Sequence, residues 1–495
     1  MNIKPITGLI IIIIALIIPV FGHLDSLPLF EWDESRLAIS AFELLSGRTN
    51  PLIPTFDFEP DMWSTKPPLM IWMQALSMKL FGINELAVRL PSALAGIFTC
   101  FFIYWIAGRK LGHPWVGILA CLVLITSQGF TGSHSVRTGD YDALLSLLTT
   151  IHCGLFFLFL RKRDNKYIYL SMLAMALAVW TKGVAALLFT PALVIFVLVD
   201  KGNYWIFRST HFYTAALSGL LVAISYYLIR EQFNPGYLQA IWINELGGRY
   251  GTVIENHSGP WYYYLDFMIR ERFTYWLFVV PLGIYAGLRA SDKELRKLTL
   301  YATILVIVFL AILSGAGSKL FWYDMPAYPW LSILVAQFIY AVFGRVTVHG
   351  NDRQSNKLNF LPVALLIFVF FFPYKSAFVN GVEPKDDSYT DKAYMGYLLK
   401  HGREGKIDVR GYKLLWDDHA QNLIWYYKTM KEEFALKQFP TWESNWNIYP
   451  GDKVAVYSNA TRDWVAKTRK DLVRVQEYHG VTIYKVAEHP KPTVE

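Results

Sequence analysis

The chain has 495 residues, 54% of them hydrophobic, 16% aromatic and only 17% charged. A water-soluble protein carries about a quarter charged residues, so the composition excludes a soluble enzyme of ordinary make-up. The net charge of +8 does not indicate nucleic acid, because the basic residues of the first 374 positions lie in short clusters between apolar runs, the pattern of membrane topology or of a substrate site.

Charge is unevenly spread. Residues 1–374 hold 28 of the 47 Lys and Arg and 22 of the 39 Asp and Glu, and the much shorter stretch 375–495 holds all the others. The expected organisation is therefore a membrane domain, 1–374, followed by a soluble domain, 375–495, with the boundary near Lys375. Cys100, Cys121 and Cys153 all sit inside apolar runs and read as packing residues rather than as disulfide or metal positions.

In chain order, apolar stretches near the length that crosses about 30 Å of hydrocarbon predict eleven spans, at 7–23, 88–107, 113–130, 140–160, 167–181, 183–200, 211–230, 272–289, 297–315, 323–343 and 358–374. Lys182 and Gly183 either separate the fifth and sixth or interrupt one span. Lys4 precedes the first apolar run as in a signal peptide, but no small-residue cleavage site follows at 20–24, so a permanent helix is expected. Sixteen cations lie at Lys4 and in the loops after even-numbered spans, against Arg137, Lys182 and Lys319 in the short loops opposite. The positive-inside rule then places the N-terminus in the cytoplasm and the C-terminal domain outside, periplasmic or extracellular. Two long outer loops remain, 24–87 and 231–271, with apolar stretches such as Leu69–Phe81 that are too short to span and suit interfacial helices.

The outer loops carry the chemistry. Glu31-Trp32-Asp33-Glu34-Ser35-Arg36 follows the first span directly. Adjacent carboxylates at a membrane surface can hold a base or bind a polar acceptor; alternatively Asp33 caps a helix and Arg36 neutralises it. Lys66 stands before Pro67 and Pro68, whose fixed φ stiffens the segment and suits a lysine held against a phosphate, although a lysine snorkelling to the interface has the same sequence. In Arg137-Thr138-Gly139-Asp140-Tyr141-Asp142, Asp140 reads as a helix cap, while Asp142 enters an apolar run and needs a partner, for which Arg137 is the nearest cation. Lys182, Arg249 and Lys319 share this face, with His257 and Tyr323 close to the latter two in sequence. Each alone could be an interface anchor; together they describe an anion site beside an acid-base site.

The order of these motifs resembles a known family. Asp-Glu-x-Arg after the first span, Lys-Pro-Pro-Leu, Arg-x-x-x-x-Asp-x-Leu-Leu, Thr-Lys-Gly, Gly-Pro-Trp-Tyr-Tyr and Ser-Lys-Leu, between residues 31 and about 330, are similar to those of the GT-C glycosyltransferases of the aminoarabinose transferase and protein O-mannosyltransferase superfamily. The resemblance implies a polytopic α-helical membrane enzyme of the GT-C type that transfers a hexose or pentose from a polyprenyl-phosphate donor to a lipid, glycan or protein acceptor at the outer face of a cell (inner) membrane. It implies catalytic carboxylates at Asp33, Glu34 and Asp142, and donor-phosphate contacts at Lys66, Arg249 and Tyr323, with Lys182 and Lys319 at further motif positions. Arg36, Arg137, Asp140 and His257 are left for acceptor or structural roles. Some aminoarabinose transferases carry a Glu just before the Lys-Pro-Pro lysine, associated with a metal, and a His at another motif position; this chain has Thr65 and Glu245 there. No resident metal or other cofactor is therefore expected. The rival class is a transporter or flippase of an anionic or lipid-linked substrate, which would place ionisable residues near the midplane and show internal symmetry; here they gather on one face and no repeat is visible.

Past residue 375 the pattern predicts a small α/β domain: strands at Lys413–Trp416 and Lys453–Tyr457, a helix over Ala420–Lys437, and a strand pair over Leu472–Val486 turning at His479-Gly480. It contains neither a phosphate loop nor a nucleophile motif.

Overall fold

The computed structural model describes residues 5–249, 253, 257–349, 360–383, 393–416, 420–440 and 447–488. Among these, seven helices are long and apolar enough to cross a bilayer: Glu85–Lys110, Tyr141–Lys162, Lys166–Leu187, Thr210–Phe233, Lys293–Gly315, Phe321–Phe343 and Ala364–Val382. Each coincides with an expected span. The other four expected spans fall on shorter apolar helices, Pro5–Phe21, Pro114–Ile125, Thr190–Val199 and Leu277–Leu288. At 1.5 Å per residue, the ten residues of Thr190–Val199 reach only about half of a 30 Å hydrocarbon layer.

Local chemistry fixes the ends of these helices. Asn84 caps one start by accepting the Ala87 N–H, and Asp140 caps another by accepting the Tyr141 N–H, each satisfying an amide that has no partner inside the helix. Gly183, at φ +59°, closes the α-helix Lys166–Lys182, which goes on as a 3-10 turn to Leu187. The fifth and sixth expected spans are thus two helices, and the break between them falls after Leu187 rather than at Lys182. The first and last apolar helices cross where a Cβ on Gly381 would come within 2.2 Å of the Ile18 carbonyl oxygen; only glycine allows that approach.

Helix Tyr141–Lys162 is almost wholly enclosed by its neighbours, whereas Thr210–Phe233 exposes Leu217, Leu220, Leu221 and Leu228. Apolar surface on that scale has lipid as its solvent. The chain is a polytopic membrane protein, and its main hydrophobic cluster extends from Ile12 to Ile483, with smaller separate clusters around Val454 and around Tyr237.

The expected interfacial stretch Leu69–Phe81 is helical. In the first outer loop β1 (Thr55–Phe56) pairs antiparallel with β2 (Glu59–Pro60). The last apolar helix, Phe360–Val382, runs beyond Lys375.

The C-terminal part forms a five-stranded sheet of β3 (Lys413–Trp416), β4 (Lys437–Pro440), β5 (Lys453–Val456), β6 (Leu472–Tyr478) and β7 (Val481–Val486), in the order β4-β3-β5-β7-β6. β3 runs parallel to β4 and β5, and β7 runs antiparallel to β5 and β6. His479 and Gly480, at φ +42° and +78°, turn the β6–β7 hairpin at the expected place. The expected helix ends at Phe434, so Lys437 opens β4, and the helices Ala393–Arg403 and Asn459–Thr468 were not foreseen. This part is tied to the outer loops: Tyr426 and Arg403 bond to Glu85, and the Lys428 ammonium lies 3.0 Å from Glu43 and 2.6 Å from Asp57.

Candidate active site

Asp33 opens the helix Asp33–Leu45. The residue before it, Trp32, holds φ +68°, a strained value for a bulky side chain, of the kind that concentrates at functional positions. Asp33 lines a narrow cleft of about 10 Å³ with Arg36, Asp61, Ser64 and Tyr141. Arg36 Nε donates to Asp61 Oδ2 at 2.7 Å, and Asp61 Oδ1 accepts the N–H groups of Trp63 and Ser64 at 3.0 and 2.9 Å. Arg36 is therefore a strut: it joins the helix that carries Asp33 to the segment that carries Lys66.

Glu34, one residue along, faces away from this cleft. It is fully buried. Its Oε1 accepts Arg89 Nε at 2.8 Å and the Gly139 N–H at 2.7 Å, and its Oε2 accepts Arg89 Nη2 at 3.0 Å and the Phe30 N–H at 2.7 Å. A carboxylate with four donors has no lone pair left for chemistry. Glu34 locks three segments together and lines none of the cavities described here.

A cavity of about 570 Å³ is lined by Lys66, Asp142, Lys182, Glu245, Ser318 and Tyr323, and the rest of its lining is apolar, with Leu188, Phe309 and Leu313 among it. Lys182 Nζ donates to both oxygens of Asp142, at 2.7 and 2.6 Å, and stands 4.7 Å from the Tyr323 ring centroid. Lys66 Nζ is 3.9 Å from Glu245 Oε1 and 5.5 Å from the centroid of the Tyr141 ring. Tyr141 also lines the Asp33 cleft, so one ring borders both the carboxylate and the cation.

The expected Arg137–Asp142 pair does not form. Arg137 donates to the carbonyls of Pro19, Val20 and Gly22 at 3.1, 3.3 and 2.7 Å, capping the end of the first helix where carbonyls lack helical partners. Asp142 is satisfied instead by Lys182, forty positions along the chain. Lys319 does not line the cavity: its ammonium donates to the Ala316 carbonyl at 2.6 Å, and its N–H to the His257 carbonyl at 2.8 Å. The side chain of Arg249 lies outside the described residues.

Three residues at the site were not singled out as functional from sequence. Glu245 was noted only as a departure from the family, and Tyr141 carried no signal apart from its two aspartate neighbours. His134 stacks face to face on Trp322 with centroids 3.8 Å apart, and its Nδ1 lies 2.8 Å from Asp140 Oδ2. Burial works against a charge on this imidazole, but the hydrogen bond and charge of Asp140, with Asp33 and Asp142 behind it, outweigh burial and raise its pKa. Burial likewise opposes ionisation of Asp140, and His134 and Lys182 overcome it, so that carboxyl is held below its usual range.

A second cavity, of about 640 Å³, is lined by His23, Gln128, Ser133, Ser376 and Asn380 with the arginines 89, 137 and 272. Those arginines are engaged by Glu34, by the first-helix carbonyls and by Asp324.

Thr65 and Glu245 do not make a metal-holding set. The Thr65 hydroxyl donates to Glu245 Oε1 at 3.3 Å, and the Lys66 ammonium approaches the same oxygen; a cation there would meet another cation and one carboxylate only. Among the described residues no three His, Cys, Asp or Glu side chains come together as ligands.

The fold and this site define a class: a polytopic helical membrane protein whose cavity joins a charged head to apolar walls. Residues 65–229 match the family described as dolichyl-phosphate-mannose-protein mannosyltransferase. A protein of Aquifex aeolicus without an assigned function is 26% identical over 336 residues, 67% of this chain and 63% of its own length. An undecaprenyl phosphate-alpha-4-amino-4-deoxy-L-arabinose arabinosyl transferase of Edwardsiella ictaluri is 27% identical over 361 residues, 72% of this chain and 62% of its own. The chain thus spans less than two thirds of the length of these relatives. The crystal structure of ArnT from Cupriavidus metallidurans bound to undecaprenyl phosphate has the same fold, with a TM-score of 0.70 at 16% identity, covering 96% of this chain and 97% of that one. The chain is thus similar in sequence, over part of its length, to the mannosyltransferase family and the arabinosyl transferases, and it shares the ArnT fold.

Proposed function

We propose that this protein is a membrane glycosyltransferase that moves a sugar from a polyprenyl-phosphate donor to a hydroxyl-bearing lipid, glycan or protein acceptor. One observation carries the reading: a single cavity of about 570 Å³ is lined both by Lys66, Lys182 and Tyr323 and by apolar walls that include Leu188, Phe309 and Leu313. An isoprenoid phosphate has the same division, an anionic head on an apolar chain. The relatives named for transfer from undecaprenyl phosphate, and the ArnT structure that holds that lipid, agree with it.

In this reading the acceptor oxygen attacks the anomeric carbon, the bond from that carbon to the bridging phosphate oxygen breaks, and its electron pair stays on the phosphate. Fixed cations in a site with little water stabilise that developing charge. Lys66 is the freer of the two, because Lys182 is already neutralised by Asp142 at 2.6 Å. Arg249 remains a phosphate contact by family resemblance. Asp33 accepts the acceptor's proton, and Asp142 fixes Lys182 beneath Tyr323.

The transferase domain runs through the last apolar helix to Val382, past the boundary expected near Lys375, and the part from Ala393 onward is a second domain that braces the loop bearing Asp33 through Glu43, Asp57 and Glu85. The cation count of the loops puts the N-terminus in the cytoplasm and the second domain beyond the inner membrane. The test is purified protein with radiolabelled polyprenyl-phosphate sugars, one hexosyl and one pentosyl, following release of polyprenyl phosphate in an envelope lipid extract. Sugar transfer supports the assignment; movement of the lipid across vesicles without transfer favours the transporter.

A further inference from the structure

The two lysines of the cavity differ in how they are neutralised. Lys182 holds both oxygens of Asp142 within 2.7 Å. For Lys66 the nearest carboxylate among the described residues is Glu245, at 3.9 Å, too far for a direct hydrogen bond.

Glu245 is nonetheless built into place. Thr65 Oγ1 donates to it at 3.3 Å. The segment that carries it is laced to the one that carries Lys66: Asn244 Nδ2 donates to the Met62 carbonyl at 3.1 Å, the Tyr237 hydroxyl to the Thr65 carbonyl at 2.6 Å, and Arg230 Nη2 to the Asp61 carbonyl at 2.9 Å. Glu245 falls in the π-helical turn Trp242–Arg249, a geometry frequent at functional sites. Its side chain is 23% exposed and lines the cavity. A phosphate on Lys66 therefore binds beside a fixed negative charge.

That charge acts unequally on the two lipids of the reaction. The donor is a phosphodiester with one negative charge. When its anomeric C–O bond breaks, the electron pair stays on the phosphate and the acceptor proton goes to Asp33, so the product is a phosphomonoester of about −1.5 to −2 at neutral pH. Repulsion from a carboxylate scales with that charge.

We infer that Glu245 is a specificity-determining residue, whose carboxylate beside Lys66 disfavours the phosphomonoester product relative to the phosphodiester donor and so promotes product release. The inference rests on the donor reading above. It does not require Glu245 to touch the sugar.

The test uses the full-length protein and two probes, undecaprenyl phosphate and its methyl diester, each competed against labelled undecaprenyl phosphate. Glu245→Gln keeps the shape and removes the charge. It should bind the monoester about tenfold more tightly and the diester by no more than about threefold. Glu245→Asp should keep the wild-type ratio, and Thr65→Val, which frees the carboxylate, should shift the ratio in the same direction as Glu245→Gln but by less. In turnover, steady-state kcat of Glu245→Gln should fall relative to its own single-turnover rate, and inhibition by undecaprenyl phosphate should deepen. A monoester-to-diester ratio unchanged or reversed in Glu245→Gln would overturn the inference. Failure of the wild type to bind either probe would contradict the donor reading itself.

Discussion

The ammonium of Lys182 lies 2.6 Å from one carboxylate oxygen of Asp142 and 2.7 Å from the other, and both residues are more than nine-tenths buried. A buried pair of this kind is costly to break, because removing one partner strands the other's charge. Asp142→Asn should therefore lower stability by about 3–5 kcal/mol and abolish transfer. Asp142→Asn with Lys182→Met should recover most of the melting temperature but not the activity. Melting of the detergent-solubilised variants checks this; a single mutant as stable as the wild type would show that the pair contributes nothing to the fold.

Asp33→Asn changes a charge without changing shape, at a residue with no ion-pair partner among the described residues. Transfer should be lost, while the melting temperature and the affinity for polyprenyl phosphate stay as in the wild type. An active variant would reduce Asp33 to the first residue of its helix.

Lys66→Ala should weaken binding of polyprenyl phosphate by about tenfold or more, the value of a charge-assisted contact in a site with little water. Lys66→Arg should recover only part, because a planar fork cannot place its charge where the ammonium was. Competition binding with free polyprenyl phosphate measures both.

The His134–Asp140 pair sets a pH dependence. His134 is raised above its ordinary 6.5 and Asp140 lowered below its ordinary 3.8. The folded protein binds the imidazole proton more tightly than the unfolded chain does, so that stabilisation is full below pH 6.5 and is lost as pH rises through the raised value. Stabilisation from Asp140 is present above 3.8 and is lost as pH falls through the lowered value. His134→Gln should therefore melt below the wild type at about pH 5.5, with the gap narrowing by about pH 8.5. A gap that widens with pH would contradict the assignment.

Activity should survive chelation, because Thr65 and Lys66 both crowd the Glu245 carboxylate, where a divalent cation would have to sit. Turnover in excess chelator, followed by addition of single divalent metals, decides it; loss and metal-specific recovery would contradict this expectation.

Much of the site was legible because its signals are local. Two prolines after Lys66 and a cap at Asp140 are read within a few residues. The partner of Asp142 was not legible, because the choice between Arg137 and Lys182 depends on the first helix ending beside Arg137 and drawing it away. Glu34 reads as a reactive neighbour of Asp33, and only the fold reveals Arg89, 55 positions on, saturating it. In the terminal sheet, the β6–β7 hairpin is written in its His479-Gly480 turn, whereas β4 exists through parallel pairing with β3, a tertiary contact that leaves no local pattern in Lys437–Pro440.

The central claim is that the cavity at Lys66 holds the donor's phosphate, and an experimental structure with bound polyprenyl phosphate tests it most directly. The account predicts the phosphate between Lys66 and Tyr323, with the isoprenoid chain along Leu188, Phe309 and Leu313. A phosphate seated instead among His23, Gln128 and Ser376, in the polar cavity, would contradict it.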